Sequence, residues 1–217
     1  MTSQIPVHEW GSASSDAPGV LLLQEIFGVS GYIKQRAADL HALGYYVVAP
    51  EIYWRLDDTD LDESAPDLMP RAMGLVQRLD WDQAVADAVS VLEQLKARGK
   101  GTAVVGFCFG GGLGFQVSAV SSPDVLVSYY GSALPRLLDL HPQVPALHHF
   151  GNDDAFLDVD AIVPALSSDD RAEVYRYDGA GHAFDNPLPM FHHPEASALA
   201  WRRTEAFLAR HLPTSQG

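Results

Sequence analysis

Hydrophobic positions along the chain fall into short, nearly continuous runs separated by longer segments of helical period. Val20-Leu21-Leu22-Leu23-Gln24, Tyr45 to Pro50, Thr102 to Phe107, Val125 to Tyr130 and Ala146 to Phe150 are largely apolar, as strands buried on both faces are. Ala172 to Tyr177 alternates enough for a less buried strand, and Ile5 to Trp10 suffices for one edge strand. Between them, Tyr32 to Leu43 carries Ile33, Ala37, Leu40 and Leu43 at helical spacing and stops at Gly44. An irregular acidic stretch, Trp54 to Met69, leads into a helical pattern that runs through Leu79. Asp80 is placed to cap a longer helix with Ala84, Val85, Ala88, Val91, Leu92 and Leu95 on one side. Further helices are expected over Gly111 to Val120, around Ala161 to Leu166, and from about Glu195 to His211. This alternation predicts an α/β fold, a mostly parallel sheet with helices on both faces. Residues 1–217 read as a single domain, with 1–4 and 213–217 as loose termini.

Composition narrows the partners. Hydrophobic residues make up 47% of the chain and charged residues 19%, enough for a sizeable core. Asp and Glu number 28 against 14 Lys and Arg, a formal charge of −14. Such a surface repels phosphate backbones and anionic lipid, so neither nucleic acid nor membrane is an expected partner. No apolar run approaches the ~18 residues of a membrane span. Met1 to Gly19 lacks the basic and apolar blocks of a signal peptide. A cytoplasmic location follows as the expectation, and that compartment would keep the single cysteine reduced.

That cysteine carries the candidate chemistry. Cys108 lies in Gly106-Phe107-Cys108-Phe109-Gly110-Gly111-Gly112, between an apolar strand and a small-residue helix. A sharp strand-to-helix turn needs glycines on both sides of its apex, and it thrusts the apex side chain out of the strand end. In parallel sheets the ligand crevice lies beyond the carboxyl ends of the strands. There the chain offers Gln24-Glu25-Ile26-Phe27-Gly28 after one strand and Gly151-Asn152-Asp153-Asp154 after another. A third strand leads into Gly179-Ala180-Gly181-His182-Ala183-Phe184. Nucleophile, acid and histidine thus follow in the order of an α/β-hydrolase triad. His182 would act as general base and then general acid, and Asp154 would orient it. The N–H groups of Phe109 and Ile26 would receive the developing oxyanion. Each residue alone has a plainer explanation: a small buried hydrophobe, a loop histidine, a helix cap. Their joint placement at three strand ends favours catalysis.

Other chemistries fit less well. Nine histidines are present, but His148-His149 would point to opposite faces of a strand. No HExxH or paired-cysteine spacing occurs, so no metal is expected. The glycines at 110–112 lack dinucleotide-binding spacing, and no cofactor is expected.

On Gln24 to Gly28, Gly106 to Gly111, Tyr129-Tyr130-Gly131, Phe150 to Phe156 and Ala180 to Phe184, the chain resembles the dienelactone hydrolase family over nearly its full length. The resemblance implies an α/β-hydrolase fold with Cys108, Asp154 and His182 as the triad. It implies cleavage of a lactone or small carboxylic ester through an acyl-cysteine. It also implies that Glu25 lies beside the thiol and takes part in its activation. Phe27, Tyr130, Phe184, Asn186 and Arg71 become the expected substrate-binding residues.

Two departures stand out. The family binds a substrate carboxylate with two arginines; Asn186 stands where one is expected and Met69 where the other is, with Arg71 two residues away. Leu75 and Val76 also replace aromatic wall positions, and the N-terminal edge is shorter than the family norm. The expected partner is a small-molecule ester or lactone, and the expected state a monomer or weak homo-oligomer. Thioesterase or broad carboxylesterase activity on the same triad is the alternative. A non-catalytic module, binding or sensing oxidation through its thiol, is the remaining one.

Overall fold

The computed structural model describes residues 4–215; of the termini expected to be loose, 1–4 and 213–217, residues 1–3 and 216–217 lie outside that range. Seven strands form one sheet: β1 (Val7–Trp10), β2 (Gly19–Leu23), β3 (Tyr46–Pro50), β4 (Thr102–Phe107), β5 (Val125–Tyr129), β6 (Ala146–Gly151) and β7 (Ala172–Tyr177). Their spatial order is β1-β3-β2-β4-β5-β6-β7, with only β1 antiparallel. Every residue of β2, β3, β4, β5 and β6 is buried, which explains why their sequences run apolar instead of alternating. β7, at the opposite edge, keeps most positions half-buried.

The helices are α1 (Gly31–Ala42), α2 (Leu68–Arg78), α3 (Trp81–Lys96), α4 (Phe109–Ser121), α5 (Val159–Leu166) and α6 (Pro194–His211). The cap anticipated at Asp80 forms, its side chain accepting from the Gln83 N–H; Ser30 caps α1 in the same way, accepting from the Ile33 N–H. Alternation along β4 separates two helical layers. Phe107 points to Tyr32 of α1, at 5.4 Å between rings, whereas Gly106 lies under Gly110 of α4. The Arg36 guanidinium of α1 lies 4.4 Å over Trp201 of α6, so α1 and α6 share the first face.

The helix expected from Gly111 begins two residues earlier, at Phe109. Cys108 is its N-cap in a strained conformation, φ 53° and ψ −118°, which turns the chain from strand to helix within one residue. A short 3-10 turn at Leu134–Arg136 also forms where no element was expected.

Glycine is required at the elbow by contact with backbone. A Cβ on Gly106 would lie 2.1 Å from the Gly110 carbonyl oxygen, and one on Gly110 would lie 2.4 Å from that of Gln24. Neither neighbour is a side chain that can swing aside. Gly110→Ala should therefore cost at least about 3 kcal/mol in urea unfolding or prevent folding. Gly74, inside α2 with nothing within 4 Å of an added methyl, is the control. Gly74→Ala should stabilise by about 0.5–1 kcal/mol; equal effects at the two sites would refute the steric account.

Candidate active site

The elbow holds Cys108 by its own backbone. Its N–H donates to the Tyr129 carbonyl at 2.9 Å, and its carbonyl accepts from the N–H groups of Gly111 and Ser132, each at 3.0 Å. Among the described residues, three of the five non-glycine residues with positive φ are Cys108, Tyr130 and Ala183, all in this region, so backbone strain is concentrated here.

Asp154 follows β6, and His182 lies in the loop after β7. His182 Nε2 is 3.1 Å from Cys108 Sγ, and its Nδ1 is 2.7 Å from Asp154 Oδ2. The other carboxylate oxygen accepts from the N–H groups of Phe156 (2.8 Å) and Leu157 (3.1 Å), which fixes the carboxylate's orientation. Its side chain is fully buried. Burial alone would lower the His182 pKa. The charge of Cys108 and the bond to Asp154 outweigh it and raise the value to about 10. A histidine made more basic in this way is a ready acceptor for a proton at Nε2, the nitrogen that faces Sγ.

The loop carrying His182 is tied down from below. Asp185 is buried and accepts from Arg36 Nε (2.8 Å) and Nη2 (2.6 Å), from the Tyr32 hydroxyl (2.5 Å) and from Ser197 Oγ (2.6 Å). These partners belong to α1 and α6, so the loop is fixed to the helical layer beneath it.

Glu25 follows β2 and is 1% exposed. Its Oε2 accepts from Asn186 Nδ2 at 2.7 Å, while its Oε1 has no partner among the described residues. Burial raises its pKa to about 7, against the opposing effects of the Asn186 bond and of His182. A carboxyl that titrates near neutrality can exchange a proton under working conditions.

A pocket of about 370 Å3 opens above the thiol, lined by Cys108, His182, Glu25, Ile26, Phe27 and Phe109 on the elbow side. Met69, Met73 and Val76 of α2 form an apolar wall; Ser132, Ala133, Pro135, Arg136, Phe156, Ala183 and Phe191 complete it. Phe109 opens α4, so its N–H has no intrahelical acceptor, and neither it nor the Ile26 N–H has a partner among the described residues. Tyr53 steadies both: its hydroxyl donates to the Ile26 carbonyl at 3.1 Å and its ring stacks on Phe109 at 6.1 Å.

Of the expected substrate-binding residues, only Phe27 lies in this wall. Arg71 is exposed and donates to the Asp60 carbonyl at 2.9 Å. Residues 69, 73 and 76 share one face of α2, and position 71 lies about 200° around from 69. Asn186 is 2% exposed and serves Glu25 instead of the pocket. Tyr130 and Phe184 are fully buried beneath His182, in contact edge to face at 5.3 Å. They support the histidine loop from behind. Sequence reading missed Tyr53, Ser132, Arg136 and Phe191, which lie in loops or turns with no motif to mark them.

No group of three or more His, Cys, Asp or Glu among the described residues is placed to hold a metal ion. His149 lies between the Tyr177 hydroxyl (2.8 Å) and Thr204 (3.1 Å), whereas His148 packs on Phe115 and Phe150. No helix is long and apolar enough to cross a membrane among the described residues.

Glu25 gives stability a pH dependence of definite sign. The unfolded carboxyl loses its proton near 4.5 and the folded one near 7, so rising pH favours the unfolded chain across that window. Glu25→Gln keeps an acceptor for Asn186 and removes the penalty. It should match wild type in urea unfolding at pH 4 and exceed it by about 3 kcal/mol at pH 8. A constant difference between the two pH values would count against a buried, titrating Glu25.

The chain is similar to known proteins along most of its length. Residues 7–212 match the model of the dienelactone hydrolase family. A carboxymethylenebutenolidase from Pseudomonas putida is 32% identical over 207 residues, covering 91% of this chain and 87% of that protein. Carboxymethylenebutenolidase 1 from Cupriavidus pinatubonensis is 34% identical over 159 residues, 70% of this chain and 68% of its own. Among solved structures, a Klebsiella pneumoniae protein assigned as a dienelactone hydrolase superposes with a TM-score of 0.79 at 27% identity, covering 95% of this chain and 93% of that one. A lidless α/β serine hydrolase from Xanthomonas campestris shares the fold at TM-score 0.65 and 19% identity, over 96% of this chain and 88% of its own. With a glycine-bound elbow, an acid and a histidine at three strand ends of such a sheet, the chain is a hydrolase of the α/β-hydrolase fold and belongs to the dienelactone hydrolase family.

Proposed function

We propose that the protein cleaves a lactone or small carboxylic ester through an acyl-cysteine on Cys108, with His182 and Asp154 completing the triad. The observation that carries this reading is the hydrogen-bonded row Cys108–His182–Asp154, at 3.1 and 2.7 Å, open to the pocket. His182 Nε2 takes the thiol proton as Sγ attacks the carbonyl carbon. The N–H groups of Ile26 and Phe109 stabilise the oxyanion, Phe109 from a helix N-terminus. Collapse breaks the C–O bond, and His182 returns its proton to the leaving oxygen. Water then attacks the thioester, giving its proton to His182, and expulsion of the thiol regenerates the enzyme.

Glu25 sets the charge next to this thiol. As a carboxylate it opposes the thiolate and in its protonated form it does not, so protonation of Glu25 favours the nucleophile while the thiol's own proton goes to His182. The apolar wall of Met69, Met73 and Val76 supports a second reading on the same residues, a broad carboxylesterase or thioesterase.

With p-nitrophenyl acetate, Cys108→Ala and His182→Ala should each lower kcat/KM by about a thousandfold or more, and Asp154→Asn by a hundredfold or more. Mass spectrometry of the quenched wild type should show one acyl group on Cys108. A His182→Ala protein as active as wild type would remove the triad from consideration. Glu25→Gln should slow turnover and alter the rate at which iodoacetamide modifies Cys108; if neither changes, Glu25 has no role in activation.

A further inference from the structure

We infer that Arg136 is an anion receptor within the substrate pocket, selecting esters whose acyl part ends in a carboxylate. The inference rests on the reading of the pocket as an ester site and adds a substrate class to it. Arg136 is the single Lys or Arg among the residues lining the pocket. In a chain with 28 acidic and 14 basic residues, seven of the basic side chains hold an Asp or Glu within ion-pair distance. Arg71, Arg78 and Arg98 instead donate to backbone carbonyls. Arg136 shares with Lys34, Arg202 and Arg203 the lack of a carboxylate within ion-pair distance among the described residues, and of these four it alone lines the pocket.

Its position is nevertheless defined. The guanidinium lies over the Trp81 ring at 4.4 Å. Trp81 in turn donates through Nε1 to Gln116 at 2.7 Å and meets Phe109 edge to face at 5.8 Å. The turn that carries Arg136 is attached to the elbow, because the Ser132 N–H donates to the Cys108 carbonyl and Ala133 packs on Gly112. Arg136 is thus linked to the nucleophile's backbone through its turn and through Trp81 and Phe109. Stacking occupies the face of a guanidinium, whereas its five N–H donors lie in the plane. A guanidinium held by its face keeps the in-plane fork for a carboxylate, which it matches with two parallel hydrogen bonds. Arg136 is exposed at the rim of a pocket whose other walls are mostly apolar, so its fork is the cationic group that a substrate entering the pocket meets. Glu25 is the pocket's own carboxylate and repels a substrate anion, so the ester's charged end belongs at Arg136, and its carbonyl at Cys108.

The test compares p-nitrophenyl half-esters of succinic, glutaric and adipic acid with uncharged p-nitrophenyl butyrate. In wild type at least one half-ester should be preferred. Arg136→Ala should lower the charged-to-neutral ratio of kcat/KM about tenfold, mainly through KM of the half-ester, and Arg136→Lys should restore part of it. A ratio unchanged by Arg136→Ala for all three half-esters would overturn the assignment. Calorimetric binding of monomethyl glutarate and dimethyl glutarate to Cys108→Ala protein supplies a readout independent of turnover. The monoanion should bind about tenfold tighter, and adding Arg136→Ala should abolish the preference; equal binding of the two would also overturn it. Failure of wild type to hydrolyse any ester rejects the triad, while the binding comparison still decides the role of Arg136.

Discussion

The site depends on a contact between pieces of backbone. At the elbow, β4, the first turn of α4 and the end of β2 approach so closely that Gly106 and Gly110 have no space for a methyl group. This proximity brings the Phe109 N–H and the loop after β2 to the same side of the thiol. It also requires Cys108 to hold positive φ, a conformation that the Tyr129, Gly111 and Ser132 hydrogen bonds maintain. Strain of this kind persists only where surrounding structure over-determines it. The buried parallel sheet supplies that surrounding structure.

Electrostatic arrangement follows from the same geometry. Four ionisable side chains, Cys108, His182, Asp154 and Glu25, meet where several strands end and bulk water is largely excluded. Burial therefore acts on Glu25 and His182 in opposite senses relative to their neighbours. Glu25, with one oxygen unpartnered, is pushed towards its neutral form, whereas His182 is made more basic by Asp154 and Cys108. Pairs of groups driven apart in this way are the usual material of acid–base catalysis. The Asp185–Arg36 pair beneath serves another end, keeping the histidine loop in register with the elbow.

Much of this was legible in the chain. Continuous apolar runs revealed the buried strands because a strand covered on both faces has no polar side to display. Glycines around Cys108 revealed the elbow because sterics leave few alternatives there. Glu25, Asp154 and His182 were recoverable because each follows its strand within a few residues, and strand ends define the crevice. Apart from Phe27, the substrate wall was not recoverable. Tyr130 and Phe184 lie within motifs that matched the family and Asn186 two residues beyond one, yet their side chains turn beneath the histidine or towards Glu25. Arg71 missed the pocket by a rotation about the α2 axis. Met73 and Arg136 entered it from a helix and a turn carrying no motif.

The amino-acid sequence by itself determined the order of strands and helices, the elbow and the identity of the groups at the strand ends. Those properties are local: periodicity, steric demand and distance along the chain decide them. Only the tertiary structure decided which side chains face the pocket, which carboxyl is left half-satisfied, and which cation reaches the pocket. These depend on the rotation of helices and the packing of loops from distant parts of the chain, where a turn of about 100° per residue exchanges a pocket residue for a surface one.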